Sequence, residues 1–187
     1  WPMRLFDCSP ITDGAACLLL VAEEIAGNFT DRPLCLIGSG QGSDSSLLTR
    51  PDITTIGSAR VAARQAYEMA GVAPSDIKIA EVHDCFTIAE LIATEDLGFF
   101  APGEGAKAAL EGRTARDGDR PINTSGGLKS KGHPVGASGV GQVVEIWHQM
   151  RGEAGDRQLR DRDINLALAH NVGGTGNTCV VHIFERR

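Results

Sequence analysis

No stretch of this sequence is apolar over the roughly 18 or more residues that a membrane-crossing helix needs, and none reads as a secretory signal. No pair among its five cysteines has metal-ligand spacing, and no segment resembles a phosphate loop, a zinc site or a dinucleotide fingerprint. Basic residues are in deficit, 18 Lys and Arg against 24 Asp and Glu, for a formal net charge of -6. That balance argues against nucleic acid as a partner. Internal repeats and low-complexity linkers are lacking too. The odd cysteine count without a signal leads us to expect free thiols in a reducing, cytoplasmic setting, with no membrane association and no metal. The chain opens at Trp1 rather than Met, as a fragment or processed product would.

At 187 residues, with 42% hydrophobic and 22% charged residues, one globular domain with a real core is expected. Pro33 to Gly38, Ile77 to Val82, Asn165 to His170 and Thr178 to Glu185 read as strands, the last two joined across Gly173-Gly174-Thr175-Gly176. Ala15 to Val21 is a buried strand or the start of a helix; its apolar run does not distinguish them. Glu23 to Gly27, Ser58 to Ala70, Thr87 to Leu97, Glu104 to Leu110 and Val140 to Met150 read as helices. In the second of these Val61, Ala62, Ala66 and Met69 share a face, and Gly71 stops it. Alternating strands and helices, with a hairpin at the end, favour a layered α/β sheet.

Chemistry concentrates in a few places. His133 lies in the glycine-rich run Asn123 to Gly141, held between Gly132 and Pro134. A base or orienter at an active site suits it, against a loop histidine used for packing. Lys129 and Lys131 flank it, either solvating a polar loop or meeting an anionic ligand. His83, Asp84 and Cys85 fall where a strand gives way to a helix, the usual side for ligands in open α/β sheets. From the tetrapeptide His83-Asp84-Cys85-Phe86 alone Cys85 reads first as a packed thiol beside a helix-capping Asp84. The alternative is a proton-transfer group or nucleophile whose pKa the helix N-terminus lowers. His170 to Gly174 is an ordinary hairpin turn or an oxyanion hole of backbone N–H groups. His148 and His182 read as structural, and Cys17, Cys35 and Cys179 as core residues.

EVHDCFTIAELIATEDLGF, NTSGGLKSKGHPVGASGVGQVVEIW and HNVGGTG occur in that order, after DCSPITDGAA. Together they resemble the C-terminal half of a thiolase, and among thiolases the sterol-carrier-protein type and its archaeal acetyl-CoA acetyltransferase relatives. The resemblance spans almost the entire chain. It implies a single thiolase-like C-terminal domain over residues 1–187, with a mixed five-stranded sheet and helices on both faces. It also implies acyl transfer on acyl-CoA thioesters, by Claisen condensation or thiolysis, with no covalently bound cofactor.

Residue by residue, the resemblance gives His133 the part of the histidine that activates the nucleophilic cysteine and helps bind a thioester oxygen. His83 takes the place of the asparagine of the common NEAF motif, and Cys85 that of the acid/base cysteine of the sterol-carrier-protein type. Most other thiolases carry this cysteine in a CxG motif, where His170 stands here. Backbone at Val172, Gly173 and Gly174 would complete a second oxyanion hole, Ser9 would lie beside the pantetheine arm, and Phe86 would line its tunnel. No cysteine here matches the nucleophile, which the family carries in its N-terminal half, and the coenzyme A-gripping loop domain is also missing. An N-terminal half in cis or trans is therefore an expected partner, as are acyl-CoA and CoA, a second copy in a homo-oligomer, and an OB-fold protein with 3-hydroxy-3-methylglutaryl-CoA synthase. Two other readings stand beside this one. One is a thiolase-fold acyl-CoA aldolase, against which the retained His83, Cys85 and His133 argue. The other is a non-catalytic thiolase-like subunit.

Overall fold

A computed structural model describes residues 3–160 and 162–187; Trp1, Pro2 and Asp161 lie outside the described residues. In chain order the main elements are α1 (Glu23–Ala26), β1 (Leu34–Ser43), α2 (Gly57–Ala70), β2 (Ile79–Glu81), α3 (Thr87–Asp96), α4 (Gly105–Leu110), α5 (Gly127–Lys131), α6 (Ser138–Arg151), β3 (Leu166–Gly173) and β4 (Thr178–Arg186). The four strands form one mixed sheet in the order β1-β4-β3-β2. β4 runs antiparallel to both β1 and β3, and β3 runs parallel to β2, with Glu81 opposite Ala169.

The sheet has four strands rather than the expected five, because Ala15 to Val21 is neither strand nor helix. Leu19 and Leu20 are 71% and 79% exposed, so the run has strand-like composition and no sheet to join among the described residues. At the other edge, Ile122 forms a single parallel bridge with Ala80, and Asn123 N donates to Ala80 O at 2.9 Å. That short pairing ties the start of the glycine-rich loop to the edge of β2.

Strand alternation sorts the core onto two faces. Leu166 and Leu168 point to one side with Ala80, Val82, Val181 and Ile183, while Ala167 and Ala169 point to the other with Ile79 and Phe184. The first face is covered by α2, α3 and α4, the second by α6 through Ile146 and Met150. On α2 the buried stripe is Ala59, Ala62, Ala63 and Ala66, and it continues to Ala70 rather than Met69, which is exposed. Small residues are required there because α2 lies directly on β1. A Cβ at Gly40 would stand 2.0 Å from Ala62 O, and one at Gly42 2.1 Å from Ser58 O. Gly71 ends the helix in the left-handed region at φ 68°. Cys179 is buried as expected, but Cys17 is exposed and Cys35 only half-buried. Cys17 belongs to the segment that lacks a sheet, and Cys35 lies on edge strand β1.

Candidate functional site

Three chain turns and one threaded segment meet beyond the carboxyl ends of the parallel pair β2 and β3. From β2 the chain passes through His83-Asp84-Cys85-Phe86 into α3; from α5 it passes through Gly132-His133-Pro134 to α6; from β3 it turns at Gly173-Gly174 into β4. The segment Cys8–Ile11 runs between the first two. Ser9 N donates to Cys85 O at 2.8 Å, and His133 N donates to Pro10 O at 3.2 Å. Lys129 Nζ donates to Cys8 O at 2.5 Å, which ties the threaded segment to α5.

Each of the candidate site residues, His133, Cys85, His83, Ser9, Phe86, Val172, Gly173 and Gly174, lines one cleft of about 380 Å³, together with Cys8, Val135 and Asn171. The His83 and His133 rings meet edge to face, with centroids 5.0 Å apart and planes at 82°. His83 is buried; burial and the neighbouring His133 hold its pKa down to about 4, so it is neutral at pH 7. His170 is wholly buried and held down to about 3 by burial and then by His83, and it accepts from His83 N at 3.4 Å.

His133 is held through its Nδ1. Ser138 Oγ lies 2.7 Å from His133 Nδ1 and 3.0 Å from Pro134 O, which also accepts from Ala137 N and Ser138 N at 2.9 Å. With Nδ1 engaged by Ser138, Nε2 is the ring nitrogen left for proton transfer.

Two expectations need correction. Asp84 does not cap α3, whose N-cap position is Phe86 without a side-chain bond. Its Oδ1 accepts instead from Leu128 N at 2.7 Å, in the first turn of α5, and a Cβ at Gly127 would fall 2.1 Å from its Oδ2. Asp84 thus joins the two histidine-bearing turns to each other. The Cys85 thiol is not lowered by the start of α3; burial outweighs the backbone donors and pushes it up.

Lys131 Nζ donates to Ser125 Oγ at 3.0 Å and lies 3.9 Å from Glu81, so the protein's own groups engage both loop lysines. Glu81 is almost fully buried and accepts from Ser125 N at 3.0 Å and Ser125 Oγ at 2.6 Å. Burial, opposed by Ser125 and Lys131, raises its pKa to about 7. Two further residues carry little signal in the sequence: Asn171 stands out only as part of HNVGG, and Gln142 is one polar residue within a helix. Both are bonded into the site: Asn171 Nδ2 lies 3.2 Å from His83 Nδ1 and donates to Gln142 Oε1 at 3.1 Å. Among the described residues no three His, Cys, Asp or Glu side chains are grouped as for a metal ion, and no helix is long and apolar enough to cross a membrane.

The mixed α/β sheet thus carries a histidine pair and a thiol in a cleft at its strand ends. Residues 40–186 match the family of thiolase C-terminal domain-like proteins, and the chain belongs to it. It is 50% identical over 99% of its length to an acetyl-CoA acetyltransferase of Methanothermobacter thermautotrophicus, covering 48% of that protein. It is 38% identical over 98% of its length to sterol carrier protein 2 of Bos taurus, covering 34% of that protein. Among solved structures, the Ltp2-ChsH2(DUF35) aldolase superposes with a TM-score of 0.85 at 28% identity, over 98% of this chain and 47% of that one. The chain spans about half the length of the archaeal acetyltransferases it matches.

Proposed function

We propose that this chain supplies the histidine and acid/base half of a thiolase-type active site acting on acyl-CoA thioesters. The nucleophilic cysteine would come from a segment outside it, in cis or in trans. The observation that carries the reading is the meeting of His133, His83 and Cys85 with Ser9, Phe86 and the Val172–Gly174 backbone in one cleft. Nε2 of His133 takes the proton of the incoming cysteine; its thiolate attacks the acyl-CoA carbonyl, the acyl–sulfur bond to CoA breaks as the new thioester forms, and CoA leaves as the thiol with the proton that His133 held. Cys85 exchanges the proton of the substrate α-carbon: in condensation its thiolate removes that proton while the new carbon–carbon bond forms at the acyl carbon and the acyl–sulfur bond breaks. Backbone N–H groups at Val172 to Gly174 face the enolate oxygen, Ser9 and Phe86 hold the pantetheine arm, and no covalent cofactor is used.

Thiolysis of acetoacetyl-CoA by CoA tests this. The chain alone should give no turnover; normal turnover would sink the missing-nucleophile claim. Joined to a nucleophile-bearing half, it should turn over, and His133→Ala should lower kcat by about 10²–10⁴-fold. A second reading, a thiolase-fold acyl-CoA aldolase, is favoured by the likeness to the Ltp2-ChsH2(DUF35) aldolase. Cleavage of a β-hydroxyacyl-CoA without thiolysis would select it. The name of that aldolase joins two components, which supports an assembly of more than one chain as part of the proposal.

A further inference from the structure

We infer that Gln142 and Asn171 are positioning residues that set the tautomer of His83, placing its proton on Nε2. One group in their bonded chain cannot be turned around. The backbone carbonyl of His170 has only lone pairs, and the Gln142 amide lies 3.0 Å from it, so the NH2 end of Gln142 must face it. Gln142 is 1% exposed, and with its NH2 committed, its Oε1 faces Asn171 at 3.1 Å. Asn171 must then present its own NH2, and the second hydrogen of that NH2 points to His83 Nδ1 at 3.2 Å. A nitrogen that receives a hydrogen bond carries no proton, so the proton of the neutral His83 ring is on Nε2.

Each orientation along this chain of bonds follows from the one before, back to a main-chain oxygen of β3. His133 is held through its own Nδ1, 2.7 Å from Ser138 Oγ. The His83 and His133 rings are centred 5.0 Å apart in one cleft, so the N–H on His83 Nε2 stands beside the base of the proposed reaction. A neutral N–H donor beside a base is the arrangement that stabilises a developing oxyanion without taking its proton. That catalytic consequence rests on the thiolase-type reading; the tautomer itself does not.

The test is a long-range proton–nitrogen correlation spectrum of the full chain labelled with 15N-histidine, the His83 signals being assigned by their loss in His83→Gln. The wild type should show a single Nε2–H form. Asn171→Asp replaces the donor by a carboxylate acceptor of the same shape, and the Nδ1–H form should dominate. Asn171→Ala removes the donor, and the Nδ1–H form should appear as a measurable fraction. An Nδ1–H form in the wild type would overturn the inference. So would an unchanged single Nε2–H form in Asn171→Ala and in whatever folded Asn171→Asp is obtained. In the complete enzyme, Asn171→Ala should lower kcat by about 10- to 100-fold with KM changed by less than about threefold. A wild type without thiolysis would refute the functional reading and leave the tautomer assignment standing on its spectrum.

Discussion

Replacing Gly40 by alanine should destabilise the chain, although the same change elsewhere should stabilise it. A Cβ at Gly40 would lie 2.0 Å from the Ala62 carbonyl oxygen and 2.9 Å from both Ala62 C and Gln65 Cβ. Ordinary contact begins near 3.4 Å, so α2 must retreat from β1 by roughly 1.4 Å. The blocking atom is main chain inside a helix, so no rotamer change relieves it. Overpacking of this kind costs about 1–3 kcal/mol, here at the upper end. Restricting the unfolded chain returns about 0.4–1 kcal/mol, leaving a net loss of about 2–2.5 kcal/mol. At this chain length that is a Tm lower by roughly 5–10 °C. Gly141, inside α6, has nothing within 4 Å of an added Cβ, and Gly141→Ala should gain about 0.5–1 kcal/mol from helix propensity. Urea unfolding followed by circular dichroism, with m compared across the set, separates the two. A Gly40→Ala protein within about 0.5 kcal/mol of wild type at unchanged m would refute the backbone-on-backbone packing of α2 against β1.

Glu81 has a folded pKa of about 7, raised by burial from 4.5. Its contribution is full below the unfolded value and is lost as pH rises through the folded one, about 3 kcal/mol in all. Urea midpoints between pH 4.5 and 8 should fall more steeply in wild type than in Glu81→Gln, and equal slopes would contradict the burial argument. Because burial raises the Cys85 thiol, its alkylation by iodoacetamide at pH 8 should be slower in the folded chain than in urea, as read by peptide mass spectrometry. Faster reaction in the folded chain would mean the start of α3 does lower it. Leu20→Ser should change the stability of the chain alone by less than about 0.5 kcal/mol, since Leu20 is 79% exposed. In a complex with a nucleophile-bearing half that covers Leu20, the same change should cost about 1.5–3 kcal/mol, and no difference between the two settings would argue against such a cover.

What could be read from residue order was whatever is decided locally. The helix ending at Gly71, the strand entering His83 and the hairpin after Gly173 depend on neighbours within a few positions, and their bounds differ from the sequence reading by a few residues. What escaped depends on partners far along the chain. Asp84 has the composition of a cap for the helix beside it, yet it serves α5, more than forty residues on, because the sheet edge brings Leu128 N to it. Met69 fits a helical period as well as Ala70 does; only the closeness of β1, set by Gly38, Gly40 and Gly42, decides for the smaller residue. Ala15 to Val21 has the composition of a core strand, and nothing in composition says whether the sheet it suits lies in the same stretch of chain. The thiol of Cys85 carried two opposed influences, helix start and burial, and their balance needs the packing.

The site and the exposed segment respond to that difference in opposite ways. The bonds that orient His133 end on Ser138, Pro134 and Pro10; those that orient His83 end on Asn171, Gln142 and His170. All of these groups belong to this chain, so the two imidazoles are held in place without a nucleophile present. The apolar segment is in the reverse condition: Leu18 to Val21 line a cavity of about 660 Å³ with Phe29, Leu36 and Trp147, and no sheet closes over it among the described residues. If a nucleophile-bearing half covers that segment and also reaches the histidine cleft, it need not build the histidine pair, and the energy of burying the apolar surface goes into holding the halves together. In that arrangement the preorganisation of the histidines and the affinity between halves are separable properties, carried by different residues and open to separate measurement.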